Sequence, residues 1–373
     1  MLLDDHFPPH LPTSLQGRFA TRVPMDADVE PLAALLTADI RRHTPDGSAP
    51  VGPLRSRLVG PKSWSRRQVL VVPVGADGRA SLDQAPVAWI CLEDRASGRT
   101  NVQWAAAADA PDREALVASL LEWAAEVGGS FARHRGEETT SLNADANAVD
   151  EDRQRLLREN GFEMVRTWLH MRRPVGPDEA TTTPQPREGV RVRRVHRHDS
   201  GLPVAQDVRT VHRMLEESFA DHFNSYRESF PEFSQRLIEA PSEADWDHWW
   251  IAEVLREGAD GTERWLPAGG LVAAPIPAGA PGTPTADGGT YLEYLGVHRS
   301  ARGHGVAKAL LRAAIRDAAE RGRGFVDLEV DADSPTSADA IYASMGWEEF
   351  ERTQSWHRDV PAHPSRLLEP AEG

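Results

Sequence analysis

Apolar and polar residues follow two different periods along this chain, and the switches between them mark its elements. Residues 290–297 (TYLEYLGV) read as an apolar strand, and from Val306 to Arg321 apolar residues recur with the spacing of a helix that buries one face. Gly322 and Gly324 stop that helix. Residues 325–330 (FVDLEV) alternate as a strand, and 331–338 turn into a short helix carrying Ile341 and Tyr342 and ending at Gly346-Trp347. The same order occurs earlier: strand 100–106, helix 115–125, then a helical stretch from Leu156 that ends at Gly161-Phe162.

The two stretches form a repeat. Gly161-Phe162-Glu163 is followed by Arg166-Thr167, and Gly346-Trp347-Glu348 by Arg352-Thr353. Between them, the segment up to Gly189 is rich in Pro, Thr and Gly and has no periodicity, as a linker would. The expected organisation is a domain over 1–174, a linker over 175–189, a second domain over 190–360 and a flexible tail over 361–373. A length of 373 residues favours two cores over one, and 40% hydrophobic residues with eleven tryptophans can fill them. The basic run 187–197 alternates apolar with charged residues, which suits an edge strand with one solvated face.

Charge and cysteine usage narrow the function classes. A net charge of −15 argues against a nucleic-acid partner, because neutralising phosphates supplies most of such binding. It mildly favours a cationic amine as substrate. No stretch of 18 uncharged apolar residues and no basic-then-apolar leader is present, so neither a membrane partner nor export is expected. The lone Cys91 lies in an apolar run and reads as a core residue; it excludes an internal disulfide and fits the cytoplasm. His196 and His198 make a poor metal site on their own, and no metal is expected.

The chemistry lies in the turn between strand 290–297 and its helix. Arg302-Gly303-His304-Gly305-Val306-Ala307 puts two glycines and a fixed cation where unpaired backbone N–H groups and the helix dipole converge. A diphosphate suits that cradle. The dinucleotide fingerprint would need a third glycine, and the triphosphate loop a Gly-Lys-Ser/Thr run; the chain has neither. The remaining pattern, Arg302-x-x-Gly305-x-Ala307, resembles the acyl-CoA-binding turn of the GNAT superfamily of N-acyltransferases. The stretch from Ser334-Pro335-Thr336 through Tyr342 to Gly346-Trp347 is similar to the family's next motif, with Ser334 where a family variant has Asn and Trp347 where Phe is usual. The repeat resembles the tandem, mycothiol-synthase-like arrangement of that family.

The resemblance implies an α/β fold: two tandem GNAT-like domains, each a twisted mixed sheet flanked by helices. It implies acetyl transfer from acetyl-CoA to a small-molecule or peptide amine by direct attack. Leu295, Gly296 and Val297 would pair with the pantetheine arm. Arg302, Gly303, His304, Gly305, Val306 and Ala307 would hold the pyrophosphate, and Ser334 would add a polar contact. Tyr342 stands at the general-acid position. Glu293, two residues before Leu295 and so on its face of an alternating strand, is the candidate base, with Glu329 and Asp331 as competitors. Asp221 and His222 would line the acceptor pocket, near the aromatic segment 246–250. The first half has no glycine in its equivalent turn, which carries Asp109, Asp112 and Glu114, and it places Leu157 opposite Tyr342. It is expected not to catalyse. A CoA-sensing or scaffold protein without turnover is the second reading, and a nucleotide-binding regulator the third; monomer and homodimer both remain open.

Overall fold

A computed structural model describes residues 9–362, apart from 76–77, 81–83, 96–97, 220–229, 231–232, 234–245, 279–286 and 334–337. Among them the strands are, in chain order, β1 (Phe19–Arg22), β2 (Arg66–Pro73), β3 (Ala88–Arg95), β4 (Arg99–Ala106), β5 (Thr139–Asn147), β6 (Glu163–Pro174), β7 (Val190–Arg194), β8 (Trp249–Glu257), β9 (Glu263–Ile276), β10 (Gly289–Val297), β11 (Phe325–Asp331) and β12 (Glu348–Pro361). No helix among the described residues is long and apolar enough to cross a membrane.

The chain divides into two compact units, Met1–Thr167 with Arg352–Gly373, and Trp168–Glu351. The first has strand order β1-β2-β3-β4-β5-β12, and the second β7-β8-β9-β10-β11-β6. Each sheet is antiparallel except at one place, β4 with β5 and β10 with β11. A parallel pair needs a crossover. Helices Arg113–Arg135 and Val306–Glu320 supply it, so both sheets are mixed.

Each sheet is covered on both faces. In the first unit, Leu116, Val117, Leu120 and Leu121 of the crossover helix pack on Ile90, Val102 and Leu142. On the other face, Leu32 and Leu54 pack on Leu70 and Trp89 with Cys91. Burial pushes the Cys91 thiol up to about 12, which keeps it a protonated core residue. In the second unit, Val306, Leu310 and Ile315 pack on Leu292, Val326 and Leu328. Val208, Val211 and Leu215 of helix Ala205–Phe219 cover Trp249, Ile251 and Val272 on the opposite face. The first crossover helix continues past Ala125, through Gly128 and Gly129. A Cβ on Gly128 would stand 2.6 Å from Leu142 Cδ2, so close packing, not helix termination, explains that glycine.

The boundaries drawn by contacts differ from those drawn by composition, because the last strands are exchanged. Residues 168–174 of β6 pair with β11, in register Trp168↔Asp331 to Pro174↔Phe325. Residues 353–361 of β12 pair with β5, from Thr353↔Asn147 to Pro361↔Thr139. Each sheet is therefore completed by a strand from the other half of the sequence. Pro361 belongs to that ladder; residues 363–373, expected as a tail, lie outside the described residues. The segment read as linker contains a short helix, Glu179–Thr182, held by an Arg173–Glu179 ion pair of 2.5 Å.

Residues 190–194 of the basic run form edge strand β7, and Arg191, Arg193 and Arg194 on it are ion-paired. Arg193 pairs with Asp207 at 2.7 Å, and the His196 backbone N–H also donates to that carboxylate. Burial raises the Asp207 carboxyl, but the bonds from Arg193 and from the His196 backbone and ring outweigh it and bring the group down to about 2. A lowered folded-state value stabilises the fold above the unfolded carboxylate range, and the effect disappears as pH falls from about 4 through about 2. Urea midpoints of the wild type and Asp207→Asn are expected to differ at pH 6 and converge near pH 2; a constant gap would refute the linkage.

Candidate active site

Strands β10 and β11 pair from Gly289↔Phe325 only as far as Leu292↔Leu328. Beyond that the two strands continue without register, to Val297 and Asp331, and open a fork. A β-bulge lies at its base: Leu292 pairs with Ala273, Tyr294 with Val272, and Glu293 is the extra residue. The bulge corrects one sequence expectation. Leu292, Leu295 and Val297 share the face under helix Val306–Glu320, while Tyr294 packs on the other side. Glu293 therefore does not share Leu295's face; it is exposed, with its charge near Tyr291. Gly296 lies directly under helix Ala205–Phe219, where an added Cβ would stand 2.4 Å from Ser218 Oγ.

At the end of β10 the chain makes a short 3₁₀ turn, Arg299–Ala301, and then the glycine turn. Gly303 and Gly305 both have φ of +80°, a conformation that costs glycine nothing, and Gly305 caps the helix. Ala309 N–H is bonded to the Gly305 carbonyl, whereas no carbonyl among the described residues accepts from the N–H groups of Gly303, Gly305, Val306, Ala307 or Lys308. N–H groups left open in this way at a helix start, together with the helix dipole, favour negative charge. Arg302 is exposed and reaches the Ser218 carbonyl at 3.5 Å, and His304 touches the Arg302 carbonyl at 3.0 Å.

Tyr342 lies on the short helix Ala338–Ala343, packed edge-on against Trp347 with ring centres 5.9 Å apart. Gly346, at φ +93°, ends that segment, and Trp347 Nε1 donates to the Val326 carbonyl at 3.0 Å, which ties the helix to β11. The Tyr342 hydroxyl has no partner among the described residues, and burial pushes its pKa up to about 12. On the opposite face, at the same fork, the Tyr291 hydroxyl donates to Glu329 Oε1 at 2.8 Å, and His170 Nδ1 lies 3.5 Å from that oxygen. Burial first, then Glu329 and Glu293, raises the Tyr291 pKa. Asp331 is buried and accepts from the Asp333 backbone N–H, as a turn cap does. His248, Trp249 and Trp250 are core residues. Asp221, His222 and Ser334 lie outside the described residues.

The first unit has the same fork, and it is filled. The β4–β5 ladder ends at Asn101↔Asn143. Past it, Arg153 of helix Glu151–Glu159 donates to the Trp104 carbonyl on β4 (3.2 Å) and to the Asp145 carbonyl on β5 (2.7 Å), with its guanidinium 4.0 Å from the Trp104 ring centre. Asp112 caps the crossover helix at φ +46°, the one described non-glycine residue with positive φ, in the place Gly305 holds in the second unit. Nothing in the local sequence around Arg153 announces its role. The three groups it joins are brought together only by the fold.

Residues 212–347 match the Acetyltransferase (GNAT) family. Among solved structures, the chain is similar to a GCN5-related N-acetyltransferase from Sphaerobacter thermophilus, with 21% identity and a TM-score of 0.65 over 94% of this chain and 98% of that one. A tandem GNAT protein from the clavulanic acid biosynthesis pathway matches with 16% identity and a TM-score of 0.58, over 93% and 99% of the two chains. Saccharomyces cerevisiae N-myristoyltransferase, solved with bound myristoyl-CoA, matches with 12% identity and a TM-score of 0.53, over 95% and 81%. At these identities the likeness is one of fold. No curated protein matches the chain in sequence.

Proposed function

Because the chain is a tandem GNAT-fold protein whose residues 212–347 match the acetyltransferase family, we propose that its second unit transfers acetyl from acetyl-CoA to an amine and that its first half does not catalyse. The observation that carries this reading is the fork between β10 and β11, which ends directly at a glycine turn with N–H donors to spare.

In the proposed reaction the turn Arg302–Ala307 holds the pyrophosphate, and residues 295–297 of β10 offer backbone to the pantetheine arm. Positioning and backbone dipoles then supply much of the rate. The amine nitrogen bonds to the thioester carbon, the carbon–sulfur bond breaks, and the thiolate takes the Tyr342 proton, which solvent restores. A hydroxyl with a pKa near 12 stays protonated at neutral pH, as a donor must. Glu293, exposed at the bulge at the base of the fork, is the proposed acceptor of the ammonium proton, and Glu329, which like it acts on Tyr291, is the alternative. A small-molecule or peptide amine is the acceptor. The filled fork and acidic turn support the non-catalytic role of the first half.

The test is a panel of polyamines, amino sugars, antibiotic amines and peptides incubated with acetyl-CoA, with released thiol as the readout. Turnover of an amine supports the enzyme; acetyl-CoA binding with no turnover across the panel favours the sensor reading. With an accepted amine, Glu293→Gln is expected to lower kcat/KM about 10²-fold at pH 7 and to recover as pH approaches the amine's own pKa. An unchanged profile moves the base role to Glu329, tested by the matching Glu329→Gln variant.

A further inference from the structure

A cavity of about 580 Å³ runs between residues 184–194 and one side of helix Val306–Glu320. Six arginines line it in a chain of net charge −15. Four are engaged: Arg191 with Glu253 at 2.6 Å, Arg193 with Asp207, Arg194 with Asp317, and Arg316 with the Thr183 carbonyl at 3.0 Å. The other two, Arg187 and Arg312, have no hydrogen bond or ion pair among the described residues. Arg187 comes from the segment whose composition reads as linker, and it lies across the glycine turn: a Cβ on Gly305 would stand 3.3 Å from its Cδ and 3.5 Å from its Nε. Arg312 lies seven residues along the helix, roughly 10 Å from Gly305. The lining carboxylates do not cancel this pair at the turn. Glu320 ends the helix at the far side, Asp317 is buried against Arg194, and Glu188 is exposed beside Arg187.

We propose that Arg187 and Arg312, which line this cavity, form a second anion site beside the glycine turn that takes a phosphate monoester. Two planar guanidinium forks with unused donors suit a dianionic phosphate. Coenzyme A carries such a group on its ribose 3′-oxygen, one sugar away from the pyrophosphate. If the turn holds the pyrophosphate, Arg187, whose side chain lies against Gly305, is placed to receive the 3′-phosphate. The site rests on the acyl-CoA reading for this choice of donor, but not for its chemistry. It also gives the 184–189 segment a ligand-binding role beyond tethering.

Calorimetry on the full chain separates the possibilities, with coenzyme A, 3′-dephospho-coenzyme A and adenosine 3′,5′-bisphosphate as titrants. The wild type is expected to bind coenzyme A at least about tenfold more tightly than the dephospho form. Arg187→Ala and Arg312→Ala are expected to erase that difference, weakening coenzyme A while leaving the dephospho form unchanged. Charge-reversing Arg187→Glu should go further in the same direction, and melting curves show whether each variant is folded. Equal wild-type affinity for the two coenzymes overturns the proposal, as does equal weakening of both in the variants, yet the acyl-CoA reading survives either result. Failure of both coenzymes, with Arg187-dependent binding of the bisphosphate, keeps the phosphate site and removes the acyl-CoA reading. No binding of any titrant overturns both.

Discussion

Gly305→Asp is expected to reduce acetyl-CoA binding by at least about 10²-fold while leaving the protein folded. The backbone there has φ of +80°, and aspartate is among the few residues that visit this region, at a cost of roughly 1–2 kcal/mol. The first unit already contains that solution, since Asp112 caps the corresponding helix at φ +46°. The atoms nearest an added Cβ belong to the flexible arm of Arg187, the closest being its Cδ at 3.3 Å. Its carboxylate would, however, sit among the N–H donors of the turn, take up part of their field and repel a diphosphate. Calorimetry with acetyl-CoA measures the loss, and thermal melting measures the fold. Wild-type affinity in a folded Gly305→Asp protein would remove the glycine turn from the site. The reverse change, Asp112→Gly, is expected to confer no binding on the first unit, because Arg153 still bridges the two strands of its fork.

Tyr342→Phe is expected to lower turnover by about 10²–10⁴-fold and leave acetyl-CoA affinity unchanged. The substitution removes one oxygen and keeps the ring against Trp347. That hydroxyl has no partner among the described residues, so no bond to any of them is lost with it. Burial pushes the phenol up to about 12, so the proton to be donated is retained through pH 10, and alkaline loss of activity below that pH must come from another group. Thiol release under saturating acetyl-CoA gives kcat, and calorimetry gives affinity. Equal turnover by both proteins would take the acid role away from Tyr342, and a parallel loss of affinity would make it a binding residue.

The features legible in the sequence are those decided within a few neighbouring residues. Gly305 and Gly346 stand out because a positive φ is a demand on one residue, and both have it, at +80° and +93°. The helix from Val306 and strand β11 follow from their periodicities, and the Gly-aromatic repeat marks Phe162 and Trp347, both buried. The mixed α/β architecture follows from the crossover helices those patterns contain. Glu293 shows where that logic stops. Alternation assigns it a face, but the bulge is set by β10 pairing with β9, twenty residues away, and it moves the side chain elsewhere.

By itself, then, the chain's order of residues determined the elements, the phosphate-type turn, the candidate phenol and the presence of two related halves. Tertiary structure alone decided that β6 and β12 complete each other's sheets, that Arg153 fills one fork, and that Arg187 lies over Gly305. The physical reason is separation along the chain. A dihedral or a periodic face is a local property, whereas a strand's partner and the group that fills a gap are chosen by packing among residues that no nearby pattern connects.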